Sequence, residues 1–272
     1  MTKNLDVEGF RSVFENYELF FIDLWGVVHN GIELHENAIH TLSKITEAKK
    51  KYILLTNAPR PNKNVKIFLE KLGLEKKMRE NVFTSGEAAL SYLKKNHIDH
   101  KFFHIGPPKD NDLFSEIKNE KVEVLDKSDY LLCTGLYDQH DQDLNYYKEL
   151  LKNFTNKKMV CTNPDLIVDR GKKREYCAGS IAMIFEKIGG EVIYFGKPYS
   201  EVYNQANKNN KKKIIAIGDN LRTDIKGANN MNYDSLIITN GIHNKEFEKQ
   251  GIERVLKNYN VKATFSQSIL KW

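Results

Sequence analysis

Three short apolar runs, each ending on a polar residue, constrain this chain more than any other feature. Residues 18–22 run into Asp23, residues 51–55 into Thr56 and Asn57, and residues 214–218 into Asp219. Runs of this length, apolar on both faces and rich in β-formers, mark strands buried inside a parallel sheet. Between them the period changes. Ala38, Leu42, Ile45 and Ala48 fall on one helical face, and so do Val65, Phe68, Leu69 and Leu72, with Gly73 placed to end the second helix. Val82, Phe83 and Thr84 read as a short strand, and Ser85 is placed to cap a helix running through Leu93. Strands alternating with helices predict an α/β fold with a doubly wound, Rossmann-like parallel sheet. Such sheets bind ligands at the carboxyl ends of their strands, so the polar residues that close the runs are expected to converge on one crevice.

Two further residues join that set. Lys197 stands in Gly196-Lys197-Pro198, and Asp224 closes the string that begins at Gly218-Asp219. Carboxylates, a hydroxyl–amide pair and a lysine suit Mg²⁺-dependent phosphoryl transfer. A carboxylate can attack phosphorus, oxygen ligands hold Mg²⁺, and a lysine and amide donors neutralise phosphoryl oxygens. Other chemistries lack their motifs: there is no dinucleotide glycine fingerprint, no nucleophile elbow and no zinc-spaced His/Cys cluster. The stretch from Gly190 to Lys197 is one residue too long for a phosphate-binding P-loop, and Pro198 stands where Ser or Thr is required.

The stretch between Asn57 and Lys197 is too long and too patterned for a loop. Residues 101–105, 122–125, 130–134 and 159–162 read as strands, and Leu144, Tyr147, Leu150 and Leu151 mark a helix. We therefore expect a second α/β domain at 87–190, inserted into a core made of 1–86 and 191–272, with a helix over 179–188 leading back to the core. A further strand is expected at 235–239.

With 272 residues, 40% of them hydrophobic and 29% charged, the chain can bury a large core and a smaller one. No run is apolar enough to span a membrane and no apolar leader stands at the start, so no membrane partner and a cytoplasmic location are expected. The net charge of +6 comes with lysine groups at 49–51, 157–158, 172–173 and 211–213. Without interleaved aromatics these read as solvated turns and helix ends rather than a nucleic-acid surface, so no nucleic-acid partner is expected. The three cysteines, Cys133, Cys161 and Cys177, form no Cys-x-x-Cys pair, and their odd number argues against a disulfide framework. Cys133 reads as a buried thiol, and Cys177, just before Ala178, either lines the site or packs in the core.

The segments 21–31, 55–60, 196–198 and 218–225, with support at 84–88, 162–165 and 178–181, resemble the haloacid dehalogenase superfamily of aspartyl-phosphate hydrolases. Within it they are most similar to class IIA, the NagD-like and pyridoxal-phosphate-phosphatase-like group. The likeness covers residues 19–239. It implies a core with a cap inserted between the second and third motifs, a small phosphorylated substrate, Mg²⁺, and pairing of two copies through the cap. It further implies Asp23 as nucleophile, and Asp23, Asp219, Asp224 and the main-chain carbonyl of Trp25 around the metal, with Asp224 in an outer position. Thr56, Asn57 and Lys197 are then the phosphate-binding residues, and Arg60, Asn163 and Asp165 match positions that touch substrate.

One departure matters. The resemblance places a second aspartate, the general acid and base, where this chain has Trp25. Tryptophan cannot shuttle a proton, and such help is worth about 10²- to 10⁴-fold in rate. Trp25 is a wall beside the nucleophile, a stacking face for a flat substrate, or a core aromatic. His29, six residues after Asp23, either takes over the proton role or hydrogen-bonds its own loop. A hydrolase biased toward good leaving groups follows. The alternative is a catalytically weakened protein that binds a phosphorylated ligand in a regulatory role.

Overall fold

A computed structural model describes residues 1–117, 120–170, 173–208 and 211–272; the lysine group at 172–173 thus falls partly outside the described residues, at Lys172. In chain order the strands are β1 (Lys3–Asn4), β2 (Leu19–Ile22), β3 (Lys51–Thr56), β4 (Val82–Thr84), β5 (Phe102–Ile105), β6 (Lys121–Val122), β7 (Tyr130–Cys133), β8 (Lys158–Cys161), β9 (Ile167–Arg170), β10 (Lys173–Tyr176), β11 (Glu191–Tyr194), β12 (Ile214–Gly218), β13 (Asp234–Ile238) and β14 (Phe265–Gln267). The chain divides into two compact units, one of Met1–Thr56, Lys66–Phe83 and Lys197–Trp272, the other of Asn57–Val65 and Thr84–Gly196. The second unit takes in more than the insert drawn from sequence at 87–190, because the loop after β3 and the segment through Gly196 pack with it.

The first unit is built on a sheet of order β1-β14-β13-β12-β2-β3-β4. Its central strands pair in parallel, with Phe21 opposite Ala216 and Ile53. All four residues of β2 and all five of β12 are buried, as their unbroken apolar runs require. From β2 the chain moves outward through β3 and β4, then returns to the other side of β2 at β12. The reversal makes the carboxyl ends of β2 and β12 the topological switch point, where open α/β sheets hold their ligands. Aromatic packing closes one side: Phe14 stacks on Phe20 at 5.3 Å and meets Trp272 edge-on at 4.9 Å.

The second unit has its own five-stranded sheet, order β11-β8-β7-β5-β6, and the antiparallel ribbon β9–β10. Tyr147, Leu151, Ile181 and Phe185 from two helices, Leu144–Leu151 and Ala178–Lys187, pack with Leu131 and Met159 of the sheet in one buried cluster. Cys133 and Cys161 face each other in register, all three cysteines are free and buried, and burial pushes the Cys161 thiol up to about 12. They are core side chains. Among the described residues no helix is long and apolar enough to cross a membrane.

Two local expectations are corrected. The strand expected at 122–125 stops at Val122, because Val124 is half exposed at this sheet edge and Leu125–Lys127 turn away. The helix Ser85–Asn96 is capped by Thr84, whose side chain accepts the Glu87 N–H, while the Ser85 hydroxyl donates to the carbonyls of Ala58 and Thr162.

In β5, His104 is buried against Phe114, ring centroids 4.4 Å apart, with Nε2 2.8 Å from the Thr134 hydroxyl. Burial pushes its imidazole down to about 3 from 6.5. A group whose folded value is depressed contributes stability that is full above the unfolded value and is lost as the pH falls from there toward the folded one. By pH 5 the loss from His104 is about 2 kcal/mol. In urea unfolding, His104→Gln should lose about that much less free energy between pH 7.5 and pH 5 than the wild type; equal losses would refute the assignment.

Candidate active site

Asp23 follows β2, and its N–H donates to Ile217 O at 2.8 Å, prolonging the β2–β12 ladder to the switch point. Asp219 follows β12. Asp224 lies five residues on, in a single widened helical turn, Leu221–Ile225, whose start Asn220 caps by accepting the Arg222 N–H at 2.9 Å. That turn lays Asp224 back against the strand: its Oδ2 accepts the Asn220 N–H at 3.1 Å, and a Cβ at Gly218 would overlap it. Lys197 donates to Asp23 Oδ1 and to Asp224 Oδ1, 2.6 Å each. Thr56 ends β3, which pairs Leu54 with Ile22, so it emerges at the same edge of the sheet.

Asp23, Asp219 and Asp224 are 8%, 6% and 3% exposed, and each offers a carboxylate oxygen within 4.8 Å of the others. One ammonium does not balance three carboxylates. The imbalance is visible at Asp23, where burial and then the Asp224 charge push the carboxyl well above the usual range against the opposing pull of Lys197. Buried carboxylates demand compensating charge, and an all-oxygen set of this kind suits a hard divalent cation, whose arrival inverts the local balance. The cradle is shaped for it by missing side chains. Gly26, at φ +79°, and Gly241 both press on the Asp219 carboxylate, and a Cβ at either would overlap it. The Ile242 N–H donates to Asp219 Oδ2 at 2.9 Å. Sequence reading missed these supports, although Asn240-Gly241 after β13 is a turn signal that could have found one.

The loop after Asp23 is tied to itself. The Gly26 N–H donates to His29 O at 2.8 Å and the His29 N–H to Leu24 O at 3.0 Å. The Trp25 indole lies over Gly31, where a Cβ would stand 2.6 Å from the ring. Trp25 and His29 rings meet edge-on at 5.1 Å, and His29 meets Phe68 at 5.5 Å. His29 is 2% exposed, and its Nδ1 accepts the Gly31 N–H at 3.0 Å. Both rings thus pack within or against this loop.

The remaining candidates belong to the second unit. Asn57 Nδ2 lies 3.2 Å from Asp165 Oδ1, and the Asp165 N–H donates to Asn163 Oδ1 at 3.1 Å, so these three residues form one polar group. Arg60 is paired elsewhere, its Nε 3.1 Å from Asp110 Oδ1.

Against known proteins, residues 20–119 match the haloacid dehalogenase-like hydrolase family model and residues 194–260 a second HAD-like hydrolase model. A solved haloacid dehalogenase-like hydrolase of Brucella suis is 32% identical, covers 86% of this chain and 93% of its own, and superposes with a TM-score of 0.81. The chain belongs to the haloacid dehalogenase-like hydrolases. Within that family it is of class IIA. Phosphoglycolate phosphatase 2 of Arabidopsis thaliana is 25% identical over 88% of this hydrolase and 88% of its own length. A 4-nitrophenylphosphatase of Schizosaccharomyces pombe is 25% identical over 93% and 94%.

Gly241→Ala should force the Asp219 carboxylate out of its bond with Ile242. This hydrolase should then lose about tenfold or more in divalent-cation affinity by calorimetry, with far-ultraviolet circular dichroism unchanged. Undiminished affinity would show that Asp219 does not shape the cradle.

Proposed function

We propose that this hydrolase acts on phosphoric monoesters, removing phosphate from a small phosphorylated metabolite through an aspartyl-phosphate at Asp23, with Mg²⁺ as cofactor. The observation that carries the reading is the buried group of Asp23, Asp219 and Asp224 around Lys197 at the carboxyl ends of β2 and β12. The phosphatase names of its relatives support it, and nothing favours the non-catalytic binder over it.

In this reading the Asp23 carboxylate attacks phosphorus, and the ester oxygen leaves with its electron pair. Water then attacks phosphorus and frees Asp23, so one hard step becomes two. Lys197 holds Asp23 in place and neutralises phosphoryl charge, and Thr56 and Asn57 donate to phosphoryl oxygens. Asp23, Asp219 and the Trp25 carbonyl are the proposed metal ligands, with Asp224 in support; bound Mg²⁺ supplies Lewis-acid neutralisation of the phosphoryl group. Trp25 donates no proton to the leaving oxygen, so the rate rests on the leaving group's own stability as an anion. His29 is proposed as a positioning residue that keeps the loop after Asp23 in shape. Arg60, Asn163 and Asp165 are proposed substrate contacts.

Phosphate release with Mg²⁺ across a panel of phosphomonoesters tests the reading. Asp23→Asn should lower turnover by about 10³-fold or more, as removal of a nucleophile does, and chelation should abolish it. A mutant as active as the wild type would sink the Asp23 assignment. 4-Nitrophenyl phosphate should exceed glycerol phosphate in kcat/KM by about 10²-fold, the low end of what general-acid help is worth. Equal values would mean that another group protonates the leaving oxygen. His29→Ala should lower the thermal midpoint and leave the shape of the pH–rate profile unchanged; loss of one limb of that profile would return the proton role to His29.

A further inference from the structure

The widened turn Leu221–Ile225 presents two sides. Thr223, Asp224 and Ile225 are buried, with Asp224 against Lys197. Arg222 is exposed, and Lys226, four residues on, is half-buried. These two cations line a cleft of about 450 Å³ in the first unit, together with Leu221, Asn258 and Tyr259. None of the five is among the residues proposed to touch the metal or the phosphoryl group. A cleft of this size admits a small molecule, and its lining carries two positive charges and no carboxylate.

Each wall has its own support. Leu221, the floor, is fully buried in one cluster with Ile225, Phe247, Val255 and Leu256, and Tyr259 packs against that cluster. The Arg222 N–H donates to Asn220 Oδ1 at 2.9 Å. The Arg222 guanidinium lies over the Tyr259 ring, 4.8 Å from its centroid. The Tyr259 hydroxyl is 3.0 and 3.1 Å from the two oxygens of Glu246, and His243 Nδ1 is 2.7 Å from one of them. Glu246 is thus engaged by Tyr259 and His243 and does not line the cleft. Asn258 Nδ2 donates to Gln250 Oε1 at 3.0 Å. A guanidinium stacked on an aromatic face is already oriented, so less freedom is lost when it grips a ligand.

We propose that this cleft is a second anion site, and that it takes a small phosphorylated molecule. The fork of Arg222 suits two phosphate oxygens, and the ammonium of Lys226 adds a point charge. A phosphate group carries nearly two negative charges at neutral pH and matches both cations, whereas a carboxylate matches one. Leu221 offers apolar surface to the carbon part of the ligand. Inorganic phosphate satisfies the charges and leaves that surface open, so an organic phosphate or phosphonate is the better ligand. The site stands whether or not the chain hydrolyses phosphate esters.

The test is a proton–nitrogen NMR titration of the metal-free protein at constant ionic strength. The probes are phenylphosphonate, which has no ester bond to hydrolyse, inorganic phosphate and benzoate. The amides of Asn258 and Tyr259 and the Arg222 Nε–H report on the cleft, and the amides of Asp23 and Thr56 report on the crevice. The cleft signals should shift saturably with phenylphosphonate, with lower affinity for phosphate and an affinity about tenfold or more lower for benzoate. Lys226→Gln, which leaves the stack of Arg222 on Tyr259 in place, should weaken phenylphosphonate at the cleft about tenfold and leave any crevice affinity unchanged. Arg222→Lys should weaken it as well, because the charge stays and the fork is lost. Shifts confined to Asp23 and Thr56, cleft shifts that benzoate or chloride reproduces at the same concentration, or a cleft affinity that neither variant lowers would overturn the proposal.

Discussion

The ammonium of Lys197, shared by Asp23 and Asp224 in a buried setting, is the interaction on which the rest of the first unit depends. Two carboxylates this deep are costly without a cation. The lysine arrives from a distant part of the sequence, so its two bonds also fix where the returning chain meets the sheet. Gly218, Gly26 and Gly241 make the same point from the other side: backbone is brought so close to Asp219 and Asp224 that no side chain fits. Burial here is tolerated because charge, hydrogen bonds and space were arranged together.

The two units solve one problem twice. Each is a parallel sheet with a reversal in its strand order, and each places polar residues at the carboxyl ends where the reversal opens a crevice. They differ in charge. The first gathers three carboxylates around one lysine. The second has a neutral imidazole, a hydroxyl and one carboxylate leading to an arginine.

Much of this was legible in the sequence because parallel sheets write themselves as uninterrupted apolar runs. β2, β3, β12 and their closing residues were readable for that reason, as was the helix over Leu144–Leu151 from its period. What stayed hidden had weaker local signals. β14, Phe265–Gln267, is short and ends on a buried glutamine whose amide is satisfied by the carbonyls of Leu5 and Lys271, so it carries no apolar run. The β9–β10 ribbon is polar and partly exposed. Asp110 sits in a 3₁₀ segment with no periodicity to flag it, and its importance comes from a partner fifty residues earlier. Thr84 was passed over for its neighbour as a cap because both are capping residue types and only geometry separates them.

The position of β14 has a consequence for how the protein is made. β1 sits at the edge of its sheet and pairs only with β14, which in turn lies against β13. During synthesis β1 therefore stays unpartnered until β14, made after the strands of both units, is available. Until β14 arrives, β13 presents a bare edge, the kind of surface on which strands of other molecules add. β14 thus covers the β13 edge and holds β1, and a protease that nicked the segment before it would loosen both pairings.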